Sequence, residues 1–138
     1  MKTRILPLLA CVGLAASAFA GDKSAGPDYR KQLSSVSALE MPAKAAALAS
    51  GVTAENREVV TAAVVKNVAD LKSTALPATV GAIAKANPEV AATAAAVAAS
   101  VRPKLAVDVA KAATASAPKQ AGAIVAAVCK VLPENYRN

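Results

Sequence analysis

Four prolines fall at one fixed interval: Pro88, Pro103, Pro118 and Pro133, each fifteen residues after the last. A proline ring fixes φ near the helical value and lacks the N–H that a first-turn residue leaves unpaired, so proline suits the start of a helix and breaks its interior. It also pushes the preceding residue out of the α region, which stops the helix before it. Fifteen residues accommodate one short helix and its turn. The spacing therefore predicts a string of equal helices folded back on one another. Asn87-Pro88-Glu89 carries the most complete start signal: a capping asparagine, a first-position proline, and an acid at the positive end of the helix dipole. Arg102, Ala117 and Leu132 are poorer caps at the equivalent positions.

More than proline repeats when the chain is laid in frames of fifteen, as 59–73, 74–88, 89–103, 104–118 and 119–133. Positions five, eight and twelve share one helical face, because offsets of three and four return to the same side. They hold Ala63, Lys66 and Asp70 in the first frame, Ala78, Gly81 and Lys85 in the second, and no branched aliphatic in any. Positions six, seven and ten lie on the other face and include Val64, Val65, Val68, Val80, Ile83, Val109, Ile124, Val125 and Val128, nine of fifteen. Position thirteen adds Leu71, Val101 and Val131. The segregation reaches back into 59–73, where no proline closes the frame. Ile83–Glu89 is echoed by Val128–Glu134, forty-five residues on. Such self-similarity is the signature of a repeat architecture. The fold class expected is all-α: an antiparallel stack, bundle or short α-solenoid, of alanine-rich helices with a repeat of about fifteen residues.

Before that region the reading is less regular. Gly26-Pro27-Asp28 starts a helix carrying Tyr29, Leu33, Val36 and Leu39 on one side, which Met41-Pro42 ends. Pro42 opens a shorter helix, Ala43 to Ser50, closed by Gly51 as C-terminal cap. Thr53 caps a longer helix from Ala54 to about Lys72, with Glu55 in its first turn, and a looser turn from Ser73 leads to a helix starting at Pro77. The organisation expected is residues 1–20 as a signal peptide, 21–52 as tether and short helices, 53–133 as the repeat domain, and 134–138 as a tail. Alternating helix directions would bring Glu89 toward Lys119 at one end of the stack, and Arg102 and Lys104 toward Glu134 at the other.

The leader is the most specific functional signal. Lys2 and Arg4 give a positive start, Ile5 to Phe19 is mostly apolar, and Ala18-Phe19-Ala20 supplies a small-x-small cleavage pattern before Gly21. About fifteen apolar residues broken by Pro7, Gly13 and Ser17 are short for a membrane span of ~20. Leu8-Leu9-Ala10-Cys11 also resembles a bacterial lipoprotein lipobox, whose cysteine would be lipidated, although only Ile5 to Ala10 would precede that cysteine. Export to a bacterial periplasm or exterior, with cleavage after Ala20, is the expectation, and a lipid anchor through Cys11 the alternative.

The chain has 138 residues, sixteen of them basic and nine acidic. Cleavage would leave fourteen basic residues against nine acidic ones, a net +5. A positive balance draws proteins to anionic lipid, cell-wall polymer or nucleic acid. Here the charges are scattered singly, with Arg30-Lys31 the longest basic run and no aromatics between them for stacking on bases, so nucleic acid is not the expected partner. Outside the leader the aromatics are Tyr29 and Tyr136 alone. A core without large rings depends on close backbone approach, with helix axes toward the near end of roughly 8–10 Å.

Catalytic constellations are not legible. There is no histidine, which removes the commonest general base and metal ligand. After cleavage Cys129 is the one remaining cysteine, too few for an internal disulfide or a multi-cysteine metal site. It reads as a buried small hydrophobe, with an intermolecular disulfide as the functional alternative. Glu55 and Glu58 share a helix face, but paired acid chemistry needs a pocket and further polar groups. Ser34, Ser35 and Ser37 have no base, no glycine-rich phosphate loop occurs, and Gly81 and Gly122 read as close-packing points. Thr74, Thr79, Thr93 and Thr114 lack the regular spacing of an ice-binding array. No catalytic, cofactor-binding or metal site is assigned, and no enzyme activity is expected.

Two non-enzymatic classes follow. One is a structural or protein-interaction module whose alanine-rich ridges pack on a protein partner or on copies of itself. The other is a cationic envelope-associated module held on anionic lipid or polymer. The layout resembles helical-repeat proteins in general, and a layout carries no activity with it.

Overall fold

The computed structural model of the chain describes residues 28–132 and Glu134. The expected signal peptide, Cys11, the tether, Pro133 and Tyr136 lie outside the described residues. Four linker residues share one backbone conformation whatever their side chain: Lys72 (φ −149°, ψ 73°), Asn87 (−138°, 77°), Arg102 (−131°, 74°) and Ala117 (−132°, 69°). Each lies outside the α region, as a residue before proline must, and Lys72 adopts the same geometry before Ser73. Each linker N–H still bonds back to the preceding helix, to Val68, Ile83, Ala98 and Ala113 respectively. Each linker carbonyl then accepts from the residue three positions on, closing a one-turn 3₁₀ helix.

The repeat is thus one linker residue, a three-residue 3₁₀ turn and an eleven-residue α-helix. Three of these turns, Pro88–Val90, Pro103–Leu105 and Pro118–Gln120, begin with proline, and Ser73–Ala75 begins with serine. The helices that follow are α4 (Leu76–Ala86), α5 (Ala91–Val101), α6 (Ala106–Ser116) and α7 (Ala121–Val131). Before them come α1 (Tyr29–Ser34), α2 (Met41–Ser50) and α3 (Ala54–Leu71). The expected all-α repeat is therefore present. The prolines, however, open the 3₁₀ turn and not the α-helix itself, which begins three residues later.

Local chemistry explains the departures from expectation. The first helix ends at Ser34, with Leu39 left 94 % exposed, because Ser37 begins a new turn: its Oγ accepts from the Glu40 N–H and donates to the Glu40 carboxylate. The second helix starts at Met41, and Gly51 ends it at φ −75°, without the left-handed conformation that makes glycine special there. Thr53 and Asn87 stand at helix starts, yet neither side chain caps. Asn87 instead donates to Ser50 Oγ at 2.9 Å.

Side-chain ties define the stacking. Arg57 at the start of α3 pairs with Glu89 in the turn before α5, and Thr93 in α5 donates to Glu58. Arg102, just past α5, donates to the Ala69 carbonyl at the end of α3. Asn87 past α4 meets Ser50 at the end of α2, and Lys72 past α3 meets the Val36 carbonyl past α1. Every tie joins a helix to the next but one, like end to like end. Helices α1, α3, α5 and α7 accordingly form one parallel layer and α2, α4 and α6 the other, with sequence neighbours antiparallel between them. The opening turns of α5 and α7 therefore share an end. The Glu89 carboxylate is nevertheless taken by Arg57 and not by Lys119, and Arg102 lies against Ala69 and Asp70 and not Glu134.

The core lies between the layers. Leu33, Met41, Leu76, Ile83 and Ile124 are its largest fully buried side chains, and the frame's position-six and position-ten residues line it. In α5 the buried face is alanine throughout: Ala91, Ala94, Ala95, Ala98 and Ala99. Burial is worth about 0.8 kcal/mol per CH₂, so this central helix is held more by close approach than by hydrophobic bulk. Gly81 shows that approach directly, since a Cβ there would stand 3.3 Å from the Ala112 carbonyl oxygen and 3.2 Å from Ser116 Oγ of α6. Gly122, expected to do likewise, has nothing within 4 Å.

Candidate functional site

Burial at equivalent frame positions changes along the stack. At position seven, Val65, Val80 and Ala95 are fully buried, Ala110 is half-buried, and Val125 is 47 % exposed. At position eleven, Ala69, Ala84 and Ala99 are fully buried, Thr114 is half-buried, and Cys129 is exposed. In the interior these positions are covered by the following one or two helices. Among the described residues no further α-helix follows α7, so α6 and α7 present the face that an eighth helix would take.

That face is a groove of about 530 Å³ with Val107, Ala110 and Thr114 on the α6 side and Val125, Val128 and Cys129 on the α7 side. Among the described residues Lys111 is the one charged residue lining it. The expectation of a buried Cys129 thiol is corrected by this end effect: the frame places it on a face that is buried in earlier repeats and open in the last.

A second, shallower surface lies on the outer side of α3. Glu55, Glu58, Val59, Ala62 and Lys66 line it, with Thr93 from α5. Glu55 and Glu58 do face the same way, with Glu58 engaged by the Thr93 hydroxyl at 2.9 Å and Lys66 on the same surface. Nearby, the Glu89 carboxyl is held below the usual carboxylate range, chiefly by its own backbone N–H and then by Arg57.

Among the described residues no group of three or more cysteines, aspartates or glutamates gathers as metal ligands, and no helix is long and apolar enough to cross a membrane. The open groove was not legible in the sequence, because the fifteen-residue frame gives Val125 and Val65 the same role. The signal that distinguishes them is position in the stack, which only the packing supplies. Comparison with protein-family models, with curated proteins and with solved structures finds no match.

Proposed function

We propose that this chain is an exported, non-enzymatic helical-repeat protein that serves as a structural or protein-interaction module of the bacterial envelope. The observation that carries the reading is the uncovered apolar groove between α6 and α7. Repeat proteins need polar outer faces on their terminal repeats to stay soluble, and a terminal face bearing Val107 at 64 % and Val125 at 47 % exposure departs from that rule. Such a surface gains from being covered.

The test is co-purification of the mature protein, residues 21–138, from its native envelope fraction at ~0.1 M and ~1 M salt, where the screening length falls from about 10 Å to about 3 Å. Association that survives the higher salt supports apolar packing on a protein. Association that fades there supports a cationic module on anionic lipid or polymer. The mass of the purified chain reports in the same experiment whether cleavage follows Ala20 or whether Cys11 is retained and acylated.

A further inference from the structure

Two uncovered surfaces of this chain have complementary chemistry. Helix α3 runs for eighteen residues where α4 to α7 each run for eleven. The frame residue equivalent to the first residue of those later helices is Thr61, so residues 57–60 hold as α-helix the places of the linker and 3₁₀ turn, and 54–56 extend the helix beyond them. The neighbour on that side, α1, has only six residues and meets α3 at its other end, where Lys72 reaches the Val36 carbonyl. The leading turns of α3 are therefore left uncovered by α1, while Arg57 and Glu58 tie them to α5 and Val60 is buried. They display Val59, 70 % exposed, with Glu55 and Glu58 exposed beside it. Arg57 is engaged by Glu89, and Lys66, two helical turns on from Val59, is the further cation on this surface, so the leading turns themselves carry the two carboxylates Glu55 and Glu58.

The groove at the opposite end of the stack is apolar and lies on a basic part of the chain. Lys111 lines it, and the segment from Pro103 to Leu132 carries Lys104, Lys111, Lys119 and Lys130 against the single acid Asp108. Of the five large apolar side chains exposed among the described residues, Val59 belongs to those leading turns and Val107 and Val125 to the groove. An apolar knob flanked by the carboxylates of Glu55 and Glu58 thus has, on the same molecule, an apolar slot that carries the ammonium group of Lys111.

We propose that the α6–α7 groove receives the leading turns of α3, residues 54–63, from a second copy of this chain. The proposal rests on the interaction-module reading above and narrows the partner to the protein itself. Val59 enters between Val107 and Val125, and Glu55 and Glu58 face Lys111. Because knob and slot are different patches, the contact is heterologous and generates rings or open chains, not a closed two-fold dimer. A two-fold pairing of grooves would set Lys111 against its own copy, where like charges oppose association.

Sedimentation velocity of the mature chain tests this. Concentration-dependent oligomers larger than dimers are expected, weakening several-fold between ~0.1 M and ~1 M salt. Val125→Asp abolishes them, and Glu58→Lys and Lys111→Glu each weaken association by about tenfold or more. The double charge swap Glu58→Lys/Lys111→Glu restores it, with helical circular dichroism confirming that each variant folds. Mixing Val125→Asp, which keeps the knob, with Glu58→Lys, which keeps the slot, gives a species that stops at one-to-one. Loss of association in Val125→Asp with no effect of Glu58→Lys, and no heterodimer on mixing, overturns the proposal in favour of groove-to-groove pairing. A monomer at all concentrations to ~1 mM also overturns it. If an envelope protein still co-purifies with that monomer, the interaction-module reading stands without self-association, and if none does, both fall.

Discussion

Arg57 Nη1 lies 2.5 Å from Glu89 Oε1 and so joins the first turn of α3 to the turn that opens α5, thirty-two positions later. Arg102 approaches Asp70 across the same separation, at 3.8 Å, at the other end of the same two helices. The pair of ties fixes α3 and α5 as parallel neighbours from both ends. Exposed pairs of this kind contribute little energy but penalise a wrong order of stacking.

The Arg57–Glu89 tie gives the fold a pH dependence with a definite sign. The folded state holds the Glu89 carboxyl below its ordinary value of 4.5, so the contribution is fully present above that value and is lost as pH falls through the lower folded one. Glu89→Gln should reduce stability at pH 7 by about 0.2–1 kcal/mol at low salt, and the difference from the parent should narrow as pH falls below 4.5 toward 3. Thermal melts at both pH values check this, and an undiminished difference at pH 3 would count against it.

Thr61 is fully buried with no hydrogen-bond partner for its hydroxyl. The frame-equivalent residues are Leu76, Ala91, Ala106 and Ala121, all apolar, and the first three are buried. Leaving a buried hydroxyl unpaired costs about 1–3 kcal/mol, whereas a methyl of the same shape pays no such penalty. Thr61→Val should therefore raise stability by about 1 kcal/mol, measured as a rise in the urea midpoint at unchanged slope. A fall in the midpoint would mean that the hydroxyl finds a partner in solution.

The two helical glycines separate intrinsic propensity from packing. Alanine is better than glycine in a helix by up to about 1 kcal/mol. At Gly122 a Cβ meets nothing within 4 Å, so Gly122→Ala should stabilise by about 0.5–1 kcal/mol. At Gly81 the added methyl stands 3.3 Å from the Ala112 carbonyl oxygen, so α4 and α6 must move apart slightly and the gain is cancelled or reversed. Gly81→Val should cost about 1–3 kcal/mol. Equal stabilisation by both alanine variants would refute the close approach of α4 and α6.

How far the sequence foretold this arrangement depended on the range of the physics involved. Pro88, Pro103 and Pro118 marked the turns because proline's restriction is local, and Val64, Val80 and Val109 fell on the buried face because helical periodicity is local too. Asn87 could not be assigned correctly from its neighbours alone, since its side chain is claimed by Ser50, two helices away. The partner of Glu89 was missed for a related reason: Arg57 sits in the part of α3 before Thr61, where no proline marks a turn. Cys129 and Val125 were misplaced because burial in a stack depends on what comes after, and a repeat pattern carries no mark of its own end. Function was illegible throughout, as the groove consists of residue types that serve as core everywhere else in the chain.

Ser73 offers the most direct test that the repeat is a property of the backbone. It opens a 3₁₀ turn that Pro88, Pro103 and Pro118 open in the three later repeats. The residue before it, Lys72, already holds φ −149° and ψ 73°, within about twenty degrees of Asn87, Arg102 and Ala117 before their prolines. Ser73→Pro thus asks for no conformational change in the folded state while removing freedom from the unfolded one. Substitutions of that kind stabilise by about 0.4–1 kcal/mol. Pro103→Ser should cost a similar amount in the opposite direction, with the helical circular dichroism of both variants unchanged. If Ser73→Pro instead destabilises by more than about 1 kcal/mol, the first turn differs from its successors and the fifteen-residue unit begins only at Asn87.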